Sequence, residues 1–434
     1  MKNKKVLVLF FGVFSILSHA LAASENSGYS GTAGPVSIHD LIEEALARSP
    51  AVQSKKAQYE ALRSKVIKAW LPEDPMVGID VEGQPKWFDT GNRMNDEYMV
   101  SQTIPFPTKL FLNGVIASKE ADMAYQMFKE EERGVAWRIE QPAYQLFLSK
   151  RTVSALAENK TLLEQLSNVS KSRYESNATS QSDYLKVQIE LAQNSIEIFD
   201  WTQKSHIAEA TVSKQLNKPL DTQYSIEEKA QRSAFSLSLP DLEKTALEKR
   251  PELKFVESAL EQAKASRLLS QTEWLPDITG RLEARKYRGE DEVRDYDNFI
   301  GVSVPVWSLL KGIGGGWRSA QEEVNSAEAL VADMKNEVLF RIHEAYARFK
   351  SSENALTMYE SFILPQAKQQ VDISLSSYEA GKSDILNLID GQRTLKNTQI
   401  SYFKAMSDYE TALSDLKFSV GDDLKEDVHQ RGSA

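Results

Sequence analysis

The chain has 434 residues, of which 26% are charged, with a formal net charge of -10 and no cysteine. The absence of cysteine excludes disulfides, thiolate metal sites and cysteine nucleophiles. The acidic balance argues against a nucleic-acid-binding protein, which would need an excess of basic residues.

The N-terminus has the pattern of a secretory signal peptide. Three lysines precede an apolar run from Val6 to Leu17, and a small-residue cleavage site follows at Ala20–Ala22. The alternative is an uncleaved membrane anchor, but the run is shorter than the roughly 20 residues that span a bilayer. We therefore expect residues 1–22 to be removed on export and residues 23–36 to form an extended segment.

The second half of the chain repeats the first half at an interval of about 200 residues, in the same element order. We expect a first repeat at 37–216, a linker at 217–237, a second repeat at 238–420 and a tail at 421–434. Such duplication builds one pseudo-symmetric object. Matching pairs include Leu41 and Leu242, Trp70 and Trp274, Pro105 and Pro305, Tyr144 and Tyr346, and Tyr174 and Tyr378.

Each repeat is predicted to begin with a helix. Ser37 and Asp40 form a capping-box pattern, and the helical pattern then continues to about Leu71, where Pro72 ends it. In the second repeat the helix is predicted to begin at Pro240 and to continue to Leu275.

Each repeat then carries one predicted β-hairpin, at about 76–105 and 277–305, in which apolar and polar residues alternate. Four strands are too few to close a barrel around a lumen. The apolar faces could meet lipid, as in an outer-membrane barrel, or a helical domain against which edge hairpins pack. The pattern alone leaves both alternatives open.

Long helical segments follow both hairpins, from Thr108 to Glu175 and from Trp317 to Glu379, with interruptions predicted at Pro142 and Pro365. The last helix has a sustained heptad pattern from Leu388 onwards, which requires a partner helix. No segment after the signal peptide has the run of apolar residues that predicts a transmembrane helix.

Taken in order, these features resemble the TolC-like outer-membrane factors, the exit ducts of Gram-negative efflux and type I secretion systems. The resemblance covers essentially the whole mature chain. It depends on the duplicated order, on Gln102–Pro107 with its copy Val302–Pro305, and on the two helix-turn-helix tips. The stretch Tyr378–Ser383, followed by Leu388–Leu395, is the most specific part.

The resemblance implies an α+β membrane protein in which three chains form one 12-stranded outer-membrane β-barrel, continued by a long periplasmic α-helical barrel. It implies a homotrimer in contact with outer-membrane lipid, a periplasmic adaptor and an inner-membrane pump. The linker and tail would belong to an equatorial belt. No cofactor and no nucleic acid is implied, and without cysteine we expect no lipid anchor.

The resemblance also implies roles for individual residues. Asp390 and Asn387 match acidic residues that line the periplasmic aperture, although the second position here is not acidic. Tyr378 matches a tyrosine that latches the tip closed, and Asp183 is the candidate acid for that latch. The tips that would dock the adaptor contain Asn177, Ser180, Gly381, Lys382 and Ser383.

The function implied is passive transport of a substrate from periplasm to exterior in a tripartite efflux system. Segments 71–76 and 104–110 look most like the heavy-metal branch of the family. This likeness favours metal ions such as copper or silver as the exported substrate. Drug efflux and type I secretion are alternatives, and a periplasmic coiled-coil adaptor or scaffold is another. An enzyme is not expected, because the five histidines show no ligand spacing and the Gly-rich stretch 312–316 lacks a Walker lysine.

Overall fold

The computed structural model of the protein describes residues 36–84, 93–176, 180–225, 232–233, 235–380 and 382–422. The predicted signal peptide lies outside the described residues, as do all but one residue of segment 23–36 and most of the tail at 421–434. Two of the residues predicted to dock the adaptor, Asn177 and Gly381, also lie outside them.

The described chain contains ten α-helices and four β-strands, with the same order of elements in each half. In chain order these are α1 Ile38–Arg48, α2 Pro50–Ala69, β1 Met76–Glu82, β2 Asn95–Ile104, α3 Pro107–Glu175, α4 Gln181–Gln215, α5 Leu239–Lys249, α6 Pro251–Thr272, β3 Ile278–Tyr287, β4 Asp295–Val302, α7 Val306–Lys311, α8 Trp317–Met358, α9 Leu364–Glu379 and α10 Ile385–Val420. Short π-helical turns at Gly312–Gly316 and Tyr359–Ile363 connect α7 to α8 and α8 to α9.

The first helix of each repeat is divided in two, so the prediction of one continuous helix was wrong. The capping box of Ser37 and Asp40 is present as predicted. Ser49 then has an extended backbone, ends α1, and caps α2 through its side chain. The cause is Pro50, because a proline disfavours helical geometry in the preceding residue. Arg250 before Pro251 divides α5 from α6 in the same way.

Helix α3 runs without a break for 69 residues, which corresponds to about 100 Å. The predicted interruption at Pro142 was therefore wrong. Proline in a helix costs about 3 kcal/mol, but here Ile139, Ala143 and Leu146 are all buried on the same helix, and their burial outweighs that cost. At Pro365 the helix does change, since a π-helical turn immediately precedes α9. None of the described helices is both long and apolar enough to cross a membrane.

The four strands form one antiparallel sheet in the order β1-β2-β3-β4. The two hairpins meet at the β2–β3 pair, where Ile104 lies opposite Ile278 and Asn95 opposite Tyr287. Both outer strands, β1 and β4, have one side without a partner within the described sheet. The sheet is therefore open at both edges.

The helices follow the same order as the strands. Near the sheet the packing order is α2, α3, α6, α8, and beyond it the order is α4, α3, α10, then α8 and α9. Helices α2 and α4 therefore lie at one edge of the layer, and α8 and α9 lie at the other.

Two equivalent apolar cores show the duplication directly. One contains Leu41 and Ala45 from α1, packed against α3 and α4. The other contains Leu242 and Ala246 from α5, packed against α8 and α10.

Two buried glutamates of equivalent position hold the connection between the repeats. Glu209 on α4 accepts hydrogen bonds from Lys150, at 2.9 Å, and from the Tyr224 amide, at 3.4 Å. Glu410 on α10 accepts from the amide and hydroxyl of Ser233, at 2.8 and 2.9 Å. Unpaired buried carboxylates are costly, and the connection supplies each glutamate with part of the hydrogen bonding that it needs.

Candidate functional site: the two sheet faces and the helix tips

One face of the sheet carries charged side chains of both signs. Arg285 on β3 lies 3.5 Å from Glu97 on β2 and 3.6 Å from Asp297 on β4. On the same strand, Arg281 pairs with Glu283 at 2.5 Å. Because strand residues two apart share a face, these charges line one side of the sheet and require water or a polar lumen there.

Three carboxylates that no sequence motif predicted converge on this face. The strand register places Asp80 opposite Glu97 and Glu82 opposite Asn95, whose amide donates to Glu82 at 2.8 Å. Oxygen atoms of Asp80, Glu82 and Glu97 all lie within 4.8 Å of one another. The alternation of acids along β1 was visible in the sequence, but their convergence with Glu97 depends on the register across the hairpin.

The opposite face of the sheet is apolar and exposed on all four strands. Its members are Val77 and Ile79 on β1, Tyr98 and Val100 on β2, Ile278 and Leu282 on β3, and Tyr296, Ile300 and Val302 on β4. Monomeric soluble proteins rarely expose a contiguous apolar surface of this size. Of the two alternatives that the sequence left open, packing on a helical domain does not account for this exposure, because no described helix covers the face.

The predicted aperture residues lie in the first turns of α10. The Asp390 side chain is 71% exposed and is 3.6 Å from Arg393. Asn387 lies three residues earlier and donates to the Ser383 hydroxyl at 3.1 Å. Residues three apart share a helix face, so both side chains can line one surface.

Tyr378 is buried at the tip, in a cluster with Val187, Leu388 and other apolar residues. The guanidinium of Arg173 lies over its ring at 4.5 Å. The Tyr378 hydroxyl is buried and has no hydrogen-bond partner among the described residues. Asp183, the candidate acid of the latch, instead lies 3.5 Å from Lys186 on its own helix. The structure therefore does not join these two residues by a hydrogen bond within one protomer.

The described residues of the predicted docking tips lie where the long helices reverse. Ser180 immediately precedes α4, and Lys382 and Ser383 lie between α9 and α10. The backbone amide of Lys382 donates to the carbonyl of Ser377 at 2.9 Å, which closes the turn, and its side chain is exposed.

Two ion pairs join α10 to α4 close to the tips. Arg393 pairs with Glu190, and Lys396 pairs with Glu197 at 2.8 Å. Neither pair could be predicted from the sequence, because the partners are about 200 residues apart and no local pattern connects them.

Comparison with known proteins connects this arrangement to a family. Residues 242–422, which include the second hairpin and the second tip, match the family model described as outer membrane efflux protein. The second half of the chain is therefore similar to the outer membrane efflux proteins. This match confirms the predicted resemblance and agrees with the predicted location in the outer membrane and with a role in transport.

Solved structures share the fold across almost the whole chain at low identity. VceC from Vibrio cholerae is 14% identical with a TM-score of 0.72, covering 89% of this chain and 96% of that chain. CusC is 12% identical with a TM-score of 0.72, covering 89% and 92%. The open state of MtrE from Neisseria gonorrhoeae is 12% identical with a TM-score of 0.71, covering 89% of each. No curated protein matches the chain.

Proposed function

We propose that three copies of this chain assemble into a continuous duct, with a 12-stranded barrel in the outer membrane and a helical barrel below it. The observation that carries this proposal is the sheet with two open edges, one charged face and one exposed apolar face. Four strands cannot enclose a lumen, whereas twelve strands can. The number three comes from the resemblance to the TolC-like factors.

The helical layer supports the same closure. Helix α4 at one edge exposes a stripe of apolar side chains, namely Leu185, Ile189, Ile196, Phe199 and Ile207. The other edge exposes Leu330, Phe340, Met358, Phe362 and Ile373. In a ring of identical copies, α4 of one copy meets α8 and α9 of the next, so both stripes become covered.

The duct would form the exit of a tripartite efflux system. In this proposal Asp390 and Asn387 line the periplasmic aperture, Tyr378 helps to hold the tip closed, and the tips with Ser180, Lys382 and Ser383 contact the adaptor. The charged sheet face lines the lumen, and the apolar face contacts lipid. The linker at 217–237 and the tail at 421–434 form the equatorial belt, supported by the contacts of Glu209 and Glu410 with the linker.

The substrate is proposed from sequence resemblance alone. Segments 71–76 and 104–110 resemble the heavy-metal branch of the family, so we propose copper or silver ions as cargo. Growth of a strain lacking the protein tests this proposal. We expect the gene to restore resistance to copper or silver salts; restored resistance to drugs alone would assign the duct to drug efflux.

Assembly and conduction test the duct itself. The detergent-extracted protein should have the mass of a trimer and should conduct ions in planar bilayers. A stable monomer that retains its β-sheet signal would overturn the shared barrel. A trimer that stays in the outer membrane but does not conduct would overturn the duct.

A further inference from the structure

The two strand-to-helix corners of the chain contain no acidic residue. No aspartate or glutamate occurs from Tyr98 to Lys119 or from Asn298 to Gln321, although the chain has 62 acidic residues among 434. The second of these stretches contains two basic residues, Lys311 and Arg318. Both corners occupy equivalent positions in the two repeats, and Asp277, the acid that contacts both of them, is paired with Lys109.

The second corner also exposes an apolar ridge, which we call the corner ridge. It consists of Val304, Val306, Trp307, Leu310 and Ile313, on α7 and the segments either side of it. The side chains of Trp307 and Ile313 are 77% and 65% exposed, which is unusual for large apolar residues that lie so close together. Only Ser308 and Leu309 of α7 turn partly inward.

The corner that carries the ridge is held to the helices. The Trp317 indole N–H donates to the carbonyl of Ser270 on α6 at 3.1 Å. The Trp317 ring lies so close to Gly312 that an added Cβ would meet it at 2.6 Å. Gly315 has a φ of 131°, a value that other residues rarely adopt. The exposure of the ridge therefore follows from a defined turn.

The corner ridge continues the apolar face of the sheet. Ile300 and Val302 face the same side of β4, and the amide of Ser303 extends the strand pairing by donating to the carbonyl of Asp277 at 2.9 Å. Val304 therefore follows Ile300 and Val302 on the same side, because strand residues two apart share a face. The surface that would contact lipid on the sheet passes into the ridge without a charged residue between them.

The first corner presents aromatic side chains at the equivalent position. Phe111 near the start of α3 is exposed and packs against Trp70 with ring centroids 5.4 Å apart. Trp274, the equivalent of Trp70 in the second repeat, is also half exposed. Tryptophan is the residue most typical of the boundary between lipid and water.

We propose that the corner ridge lies in the periplasmic leaflet of the outer membrane and binds its phospholipids. The apolar side chains would enter the acyl-chain boundary, and Lys311 and Arg318 would meet the lipid phosphates. Apolar residues, tryptophan and basic groups without acids form the composition that binds anionic lipid surfaces. The proposal rests on the proposed function, since it requires the apolar sheet face to contact the membrane.

The absence of cysteine from the chain permits a direct test. Full-length Ile313→Cys is labelled with a nitroxide and reconstituted in vesicles of phosphatidylethanolamine and phosphatidylglycerol. We expect the label to collide with dissolved oxygen in preference to a water-soluble nickel chelate. Lys382→Cys, at the far tip, is the matched control and should show the opposite preference.

Three results would overturn the proposal. A label at position 313 as accessible to nickel as the control would place the ridge in water. An immobile label reached by neither reagent would show that a neighbouring copy covers the ridge. Trp307→Asp in the labelled protein should abolish the preference for oxygen. An unchanged preference in that variant would show that the ridge does not hold position 313 in the lipid.

Conductance of the same vesicles separates this test from that of the proposed function. If the vesicles conduct but the label at position 313 is accessible to the water-soluble nickel chelate, only the proposal of a lipid-binding ridge is contradicted. Vesicles that do not conduct would count against the duct itself.

Discussion

Lys109 at the start of α3 donates a hydrogen bond to Asp277, which lies 2.9 Å away immediately before β3. The same carboxylate oxygen accepts from the Phe106 amide at 3.0 Å, and Lys109 also donates to the carbonyl of Leu275. One ion pair therefore joins the corner of the first repeat to the beginning of the hairpin of the second repeat. The two hairpins form one sheet partly because this junction fixes where β2 and β3 meet.

We expect Asp277→Asn to destabilise the protein by about 1 to 3 kcal/mol, the usual cost of losing a partly buried charged hydrogen bond. Burial alone would raise the pKa of the Asp277 carboxyl, but Lys109 and the Phe106 amide outweigh it and hold the pKa below its usual value. A lowered pKa stabilises the folded state above the usual value of about 3.9, and this stabilisation is lost as the pH falls through the folded value.

Thermal unfolding of the detergent-solubilised protein measures this effect. The variant should lose stability at neutral pH, and the difference from the wild type should shrink below about pH 4. Asp122→Asn is the matched control, since Asp122 pairs with Lys119 at 3.3 Å, is the more exposed of the two aspartates, and should contribute under about 1 kcal/mol. Equal effects of the two substitutions at neutral pH would contradict the junction's role.

A second prediction concerns the edge of the helical layer. Phe199→Glu places a charge in the exposed apolar stripe of α4, which the ring would bury against the next copy. An unpaired buried charge is strongly unfavourable, so we expect the trimer to dissociate while each chain keeps its helical content. Native mass spectrometry and circular dichroism measure the two outcomes, and Phe199→Leu should remain trimeric. A stable trimer of the glutamate variant would show that α4 does not lie between copies.

The sequence predicted the features that depend on neighbours along the chain. The capping box of Ser37 and Asp40 needs only residues three apart, and the alternation on each strand needs only residues two apart. The break at Ser49 was also available from the proline that follows it. The ion pair of Arg393 with Glu190 and the convergence of Glu97 on Asp80 were not available, because they depend on how distant segments pack and on strand register.

A third prediction concerns the tip. The buried hydroxyl of Tyr378 has no hydrogen-bond partner among the described residues of its own chain. Tyr378→Phe should therefore leave the fold of the protomer unchanged or more stable, since an unpaired buried hydroxyl costs about 1 to 3 kcal/mol. If the hydroxyl bonds to a neighbouring copy in the closed tip, the same variant should raise the baseline conductance in planar bilayers.

Tyr174 provides the matched control for this substitution. It occupies the equivalent position in the first repeat but is exposed, so Tyr174→Phe should change neither stability nor conductance. Arg173→Ala removes the cation that lies over the Tyr378 ring. It should loosen the tip through the loss of this cation–π contact and not through the loss of a hydrogen bond. An unchanged conductance in Tyr378→Phe would remove the latch role from the hydroxyl and leave the ring as a packing residue.

The last prediction concerns selectivity at the periplasmic aperture. In a trimer three copies of Asp390 surround the axis, and each side chain is largely exposed. Like charges about 10 Å apart in water repel by only about 0.4 kcal/mol, so Asp390→Ala should leave the fold intact. The ring nevertheless concentrates cations, because three negative charges face one narrow passage.

We expect Asp390→Ala to lower the selectivity for cations and to weaken the block by divalent and trivalent cations, measured from reversal potentials and current block in planar bilayers. Arg393 retains Glu190 as a partner in this variant, so the change isolates the charge of the ring. Asp390→Glu preserves that charge and should behave as the wild type. Unaltered selectivity and block in Asp390→Ala would make this acid an ordinary solvated group on the surface of α10.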